Sequence, residues 1–347
     1  MRRVVPLDDY VNAVRAELLL RFPGAEPWEL DTLYLGGGTP SRLGGDGVAR
    51  LLDVLRARVR LAPDAEVTLE ANPDDVTAEG VSAWRAAGVN RVSLGVQSFD
   101  DRALAWMRRP HDGARAASAV DMLRAGGIDN VSLDLIFALP ATLGRAWEDD
   151  LARALAFAPS HVSLYGLTIE HATPLGRWVA RGEVAEAPEE RYEAEFMRAH
   201  EVMTQAGFEH YEVSNFARPG RRSRHNWAYW SGAAYVGIGP AAHGFDGARR
   251  RWNVAAYEQW RRRLAAGEDP VAGTEALTDE NRLTEAVYLG LRTAAGLRLS
   301  GEELSSVRPW IRAGWASIED DARLILRAPG WLRLDALTQS LTAARSR

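Results

Sequence analysis

The sequence predicts an α/β fold, a barrel-like array of strand–helix units with a smaller helical module behind it. Three observations carry that expectation. Short β-branched segments alternate with amphipathic helical ones through the first half of the chain, the pattern of βαβ units around a parallel sheet. Each helical segment closes near Gly or Pro, as helix ends do. No G-x-G-x-x-G follows the first strand, which favours a curled array over an open doubly wound sheet.

Taken in order, the chain starts with a helix from Leu7 to about Arg21, with Val11, Val14, Leu18 and Leu19 on one side. An array of this kind begins on a strand, yet only "MRRVVP" precedes the helix. The first strand is therefore expected to be missing, and Met1 is expected not to be the true start. The missing piece would hold about 20 to 30 residues, enough for one strand of ~5–6 residues and a loop.

Strands follow at Thr32–Leu35, Glu66–Leu69, Arg91–Val96, Asn130–Phe137 and His161–Leu167. Between them, "GVARLLDVLRARVR", "AEGVSAWRAAG", "ARAASAVDMLRAGG" and "AWEDDLARALAFAP" repeat apolar residues at three- and four-residue spacing. The strands show no clean polar–apolar alternation on this reading, as expected where both faces are covered. Residues 1–175 form this core. Residues 176–272 complete the barrel with the helix "APEERYEAEFMRAHEVMTQAGF" and a stretch rich in aromatics, glycine and histidine. Residues 273–347 form a helical, winged-helix-like module, opening on "LTDENRLTEAVYLGLRTAAG" and ending in a strand pair and closing helix.

Composition narrows the function. The 347 residues are 46% apolar and 26% charged with a net charge of −5, which suits a globular protein and not one whose main partner is nucleic acid. No apolar run approaches the roughly 18 residues of a membrane span, and the N-terminus lacks a signal-peptide core. The chain reads as cytoplasmic. There is no cysteine, so disulfides, thiolate catalysis and cysteine-held metals are excluded within these residues.

In parallel β/α architectures ligands bind at the carboxyl ends of the strands. There the sequence places Gly36, Gly37, Gly38 and Thr39, then Glu70, then Gln97, with Arg109 a helical stretch later, and Asp134 inside an apolar run. Three adjacent glycines fit a tight turn or a ligand approaching bare backbone. Singly, Glu70 could be an anion at a helix N-terminus, Gln97 a loop hydrogen-bonder and Asp134 a paired carboxylate. Jointly, polar residues at one end of successive strands argue for one site for a small polar molecule.

In this order "YLGGGTPS", "EVTLEANPDDVT", "AGVNRVSLGVQSFDDRALAWMRRPH", "VSLDLIFALP", "HVSLYGLTIE" and "RHNWAYW…YVGIGPAAHG" resemble the radical S-adenosylmethionine proteins related to oxygen-independent coproporphyrinogen III oxidase. The "HNxxYW" segment is most similar to the haem chaperone (HemW-type) branch. The resemblance spans nearly the whole chain. It implies a partial (β/α)6 barrel that binds S-adenosylmethionine through Gly37, Gly38 and Thr39 at its methionine part and Glu70, Gln97, Arg109 and Asp134 elsewhere. It implies haem as a ligand and a haem-accepting protein as partner. The family also carries a C-x3-C-x2-C segment that holds a [4Fe–4S] cluster, which has no counterpart here. A further family cysteine corresponds to Ser223.

His225 and His243, near Tyr229, Trp230 and Trp252, are candidate haem ligands, with Arg218 and "RRSR" (221–224) available for propionates. Each histidine could equally be structural. Two alternatives stay open: an oxygen-independent coproporphyrinogen III oxidase, and a cluster-free protein that only carries haem.

Overall fold

The structure is a computed structural model and describes residues 6–24, 26–170 and 173–346. The expected missing strand, and the "MRRVV" before Pro6, lie outside the described residues.

Helix α1 (Leu7–Arg21) leads into β1 (Trp28–Leu35), α2 (Gly44–Arg56), β2 (Val59–Ala71), α3 (Ala78–Ala86) and β3 (Arg91–Gln97). Next come α4 (Asp101–Trp106), α5 (Gly113–Ala125), β4 (Asn130–Phe137), α6 (Trp147–Ala156) and β5 (His161–Gly166). Strands β1 to β5 pair in sequence order and in parallel. The α/β expectation therefore holds, with helices covering the outer face of a curled sheet.

Three details differ from the sequence reading. Strands β1 and β2 run further toward their N-terminal ends than expected, because Trp28–Leu30 pair with Val59–Leu61 before a bulge resets the register at Thr32. The segment "ARVR", read as the end of a helix, thus splits between the helix end and a strand, and Val59 is buried as part of β2. Leu19 is 44% exposed. It lies five residues past Val14, well off the face that Val11, Val14 and Leu18 share; Glu17 is buried there instead.

Past β5, α7 (Pro174–Ala180) and α8 (Glu189–Gln205) lead to a short hairpin, β6 (Glu209–Glu212) and β7 (Asn215–Ala217). This hairpin extends the sheet antiparallel, in the order β1-β2-β3-β4-β5-β7-β6. Helix α9 (Arg224–Trp230) then packs against β1. A second sheet holds β8 (His243–Phe245), β9 (Arg249–Asn253) and, after α10 (Tyr257–Ala265), β10 (Val271–Ala276).

The C-terminal module contains α11 (Asp279–Arg292), β11 (Leu297–Arg298), α12 (Glu303–Arg312), β12 (Ala316–Glu319), β13 (Arg323–Leu326), α13 (Ala328–Trp331) and α14 (Leu334–Arg345). Its three strands pair in the order β11-β13-β12. Thr278 starts α11 with a reciprocal capping box to Asn281, which closes two orphan donors. Arg292 ties the module to the sheet, pairing with Glu212 at 2.8 Å and lying 4.0 Å over the Trp230 ring.

Two apolar cores result among the described residues. The larger lies between the sheet and its helices and continues into the C-terminal module. The smaller joins α1, α2 and α10 through Val11, Val14, Leu18, Leu51 and Trp260.

Candidate functional site

The strands alternate after all. On β2 to β5 the residues Val67, Leu69, Val92, Leu94, Val131, Leu133, Val162 and Leu164 enter the helix-side core. Those between them, Glu66, Thr68, Glu70, Arg91, Ser93, Ser132, Asp134, His161 and Ser163, share the other face and line a polar lumen. Burial is similar on both faces, so hydropathy averaged along the strand conceals the pattern, whereas the period of two reveals it. The recurring tetrapeptides "RVSL", "NVSL" and "HVSL" at the starts of β3, β4 and β5 were the available signal. The register aligns Glu70 with Ser93, Ser93 with Ser132, and Ser132 with His161.

At the lumen mouth the glycine run turns off β1. The Tyr34 hydroxyl donates to Glu70 Oε1 at 2.8 Å, and the Gly37 N–H donates to Oε2 at 2.9 Å. Gly37 has φ +91°, and the space beside both Gly37 and Gly38 is open. Thr39 follows at φ 64° and Gln97, at the end of β3, has φ 68°. Left-handed backbone at non-glycine residues is uncommon and gathers at functional sites. Arg109 is half-buried. Desolvation lowers its pKa, and its side chain has no hydrogen-bond or ion-pair partner among the described residues.

Deeper in, Ser93 Oγ donates toward both Asp134 oxygens at 3.0 Å, and Ser132 Oγ approaches Oδ1 at 3.3 Å. Burial pushes the Asp134 carboxyl up to about 6, against hydrogen bonds from Ser93 and Ser163 and the field of Arg91, which favour the anion. A chain of hydrogen bonds continues from Ser132 to His161 Nδ1 (2.8 Å), and from His161 Nε2 to the Tyr211 hydroxyl (2.8 Å). Burial holds His161 neutral. None of Arg91, His161 and Tyr211 stood out from the sequence as a site residue.

The raised Asp134 pKa gives a stability prediction. Between its ordinary value of 3.8 and about 6 the native state holds a proton that the unfolded chain has released. The Asp134 contribution to the unfolding free energy therefore falls as pH rises through that window and is level above it. Asp134→Asn is expected to exceed the parent in stability at pH 7 by up to about 3 kcal/mol, with the gap closing below pH 4. Urea midpoints across this range check it, and a gap that does not vary with pH would refute the assignment.

The region after β7 forms the lumen floor. Ser223 is buried and caps α9, accepting from the Asn226 N–H. The Glu66 carboxylate accepts from the N–H groups of Arg224 and His225, both at 3.0 Å. His225 is engaged at both nitrogens, Nδ1 with Thr32 Oγ1 (2.8 Å) and Nε2 with the Tyr229 hydroxyl (3.0 Å), and stacks on Tyr34 at 4.9 Å. Burial pulls its pKa down to about 4. His243 differs. It is exposed on β8, with its ring 6.1 Å from Trp252 and no hydrogen-bond partner for the ring among the described residues. The structure therefore gathers Gly37, Gly38, Thr39, Glu70, Gln97 and Asp134 around the strand ends and lumen, puts His225 at the floor, and leaves His243 on a separate sheet. Arg218 lies over Phe208.

A lumen lined from successive parallel strand ends, with a glycine turn at its mouth, is the architecture of the radical S-adenosylmethionine class. Residues 15–151 match the model of the Radical SAM superfamily. The chain is 42% identical over 346 residues to the heme chaperone HemW of Mycobacterium tuberculosis (strain CDC 1551 / Oshkosh), covering 96% of this chain and 86% of that one. It is 34% identical over 293 residues to the heme chaperone HemW of Bacillus subtilis (strain 168), covering 84% and 77%. Coproporphyrinogen III oxidase (HemN) from Escherichia coli, a radical SAM enzyme, shares the fold, with a TM-score of 0.80 at 21% identity over 97% of this chain and 83% of that one. The chain belongs to the heme chaperone HemW family of radical SAM proteins.

The family's iron–sulfur cluster does not fit the residues present. There is no cysteine in the sequence, and the described residues hold no group of three or more His, Asp or Glu placed to bind a metal.

Proposed function

We propose that this chain is a haem carrier of the HemW kind that binds S-adenosylmethionine at the lumen mouth and haem on the second sheet, for delivery to a haem-accepting protein. The observation that supports the cofactor site is the half-buried Arg109 without a partner, in a chain whose strand ends also present open glycine backbone and the desolvated Asp134. Gly37, Gly38 and Thr39 would take the methionine part, and Glu70, Gln97, Arg109 and Asp134 the remainder. When bound, the cofactor supplies a sulfonium-activated carbon–sulfur bond. No step through a cluster is drawn from these residues.

For haem, His243 offers an open ring nitrogen beside the Trp252 face, and Arg251, near Gly244, offers a guanidinium for a propionate. His225 would have to release Thr32 and Tyr229 before ligating iron, so His243 takes precedence. No described helix is long and apolar enough to cross a membrane, in keeping with a cytoplasmic setting.

Titration calorimetry with S-adenosylmethionine is expected to show binding that Asp134→Ala weakens. Haem titration should give a Soret band that His243→Ala shifts or abolishes, while His225→Ala acts mainly on stability. Equal cofactor binding by Asp134→Ala would remove the pocket assignment, and a Soret band unchanged in both histidine variants would move haem elsewhere.

A further inference from the structure

The lumen floor holds a buried cation that the family reading does not use. Arg91, at the start of β3, is 1% exposed, and its Nε is buried without a hydrogen-bond partner. No described side chain forms a hydrogen bond or ion pair with its guanidinium. Yet it sits among ionisable groups, since Tyr34, Asp134, His161, Tyr211 and His225 all feel its field.

The neighbouring acids are already engaged. Glu70 accepts from Tyr34 and Gly37, Glu66 from the start of α9, and Asp134 from Ser93 and Ser132. Beside Arg91 in the register, Asn130 also has a buried side-chain oxygen without a partner. Burying a guanidinium unpaired is costly, and a purely structural arginine is normally placed against a carboxylate. Arg145, equally buried, shows the structural arrangement, with Asp150 and Glu195 each at 3.0 Å. Arg91 has the burial without the partners.

We propose that Arg91 is the receptor for a ligand carboxylate at the floor of the lumen. A planar guanidinium takes a carboxylate through two parallel N–H···O bonds, and none of the three acids around it hydrogen-bonds to it, so its donors stay open to the incoming group. The carboxylate could belong to a small free acid or to the acidic tail of a larger ligand that reaches the floor. Haem or S-adenosylmethionine held this way would lie deeper than the second sheet and the lumen mouth proposed for them above, and only that choice draws on the function proposed there.

Propionate and propionamide, alike in shape and different in charge, are the probes. Thermal-shift titration at matched ionic strength should show propionate, and not propionamide, stabilising the parent protein, and the Arg91 Nε–H resonance should move with it. Arg91→Gln should lose about 10- to 100-fold in propionate affinity, and Arg91→Lys, which keeps the charge without the fork, should lose less. Equal effects of the two probes on the parent would overturn the site, and that comparison needs no variant to fold. Haem against its dimethyl ester, and S-adenosylmethionine against its decarboxylated form, identify the source. A preference for the acid that vanishes in Arg91→Gln assigns the carboxylate to that ligand. If propionate binds and neither pair shows the preference, the ligand is a small free acid. Should haem and S-adenosylmethionine both fail to bind, the propionate result still decides the site, while the function proposed above falls.

Discussion

Replacing Glu17 by alanine is expected to destabilise the protein by about 3–5 kcal/mol, the usual consequence of removing one member of a buried ionic network. Glu17 is fully buried in α1. Its Oε1 accepts from Asn253 and Arg21, and its Oε2 accepts from the Gly239 N–H at 2.9 Å and the Trp260 indole at 2.8 Å. Truncation strands Gly239 and Trp260 as donors in a dry core, each a penalty of about 1–3 kcal/mol. Arg21 suffers less, because Asp269 holds it independently at 2.9 Å. Glu17→Gln should fall between parent and alanine, since its amide nitrogen meets donors where an acceptor is needed. A chain of this size need not unfold in one step, so hydrogen exchange should accompany the urea curve. Protection is expected to drop first in α1, α10 and β9, with β2 to β5 unaffected. A loss below about 1 kcal/mol would show that the smaller core does not depend on this carboxylate, and one shared evenly with the main sheet would show that its effect is not confined to that core.

This network also shows what the sequence could and could not disclose. The parallel sheet was legible because each strand and helix carries its own period, and the periods follow one another locally. Glu17 was not, since an acidic residue on an amphipathic helix reads as solvent-facing until partners more than 200 positions away are known. The same applies to α9. Its "RHNWAYW" composition suggested a ligand surface, but the helix is fixed by Glu66 from β2, and His225 is held by Thr32 from β1. The lumen was half legible. Glu70 and Gln97 stand out as polar residues at strand ends and Asp134 as a carboxylate inside an apolar run, while Arg91, His161 and Ser132 lie further back, where only the alternation within "RVSL", "NVSL" and "HVSL" marks them. The short hairpin β6–β7 left no signal, its strands being four and three residues long and antiparallel to their neighbour. Leu19 failed for a simpler reason: its hydropathy was counted without its angle around the helix.

The glycine run offers the sharpest test of whether the lumen mouth is a binding site, because its three members are glycine for three different reasons. A Cβ on Gly36 would come 2.4 Å from the Tyr34 ring and 2.8 Å from Glu70 Oε1. Gly36→Ala must therefore displace the Tyr34–Glu70 pair, and is expected to destabilise by about 1–3 kcal/mol as overpacking does. Gly37 has φ +91° with open space around it. Gly37→Ala or Gly37→Val meets backbone strain of about 1–3 kcal/mol with no clash. Gly38 has neither constraint, as a Cβ there would meet nothing within 4 Å and its φ is not left-handed. For folding alone an alanine at 38 is free, and Gly38→Ala is expected to leave stability within about 0.5 kcal/mol of the parent. What it does alter is the bare backbone that a ligand would approach. If S-adenosylmethionine binds there, calorimetry should show Gly38→Ala weakening the complex about tenfold or more with an unchanged melting temperature. Binding as tight as the parent's would leave position 38 without a reason to be glycine and would confine the run to the structural roles of Gly36 and Gly37.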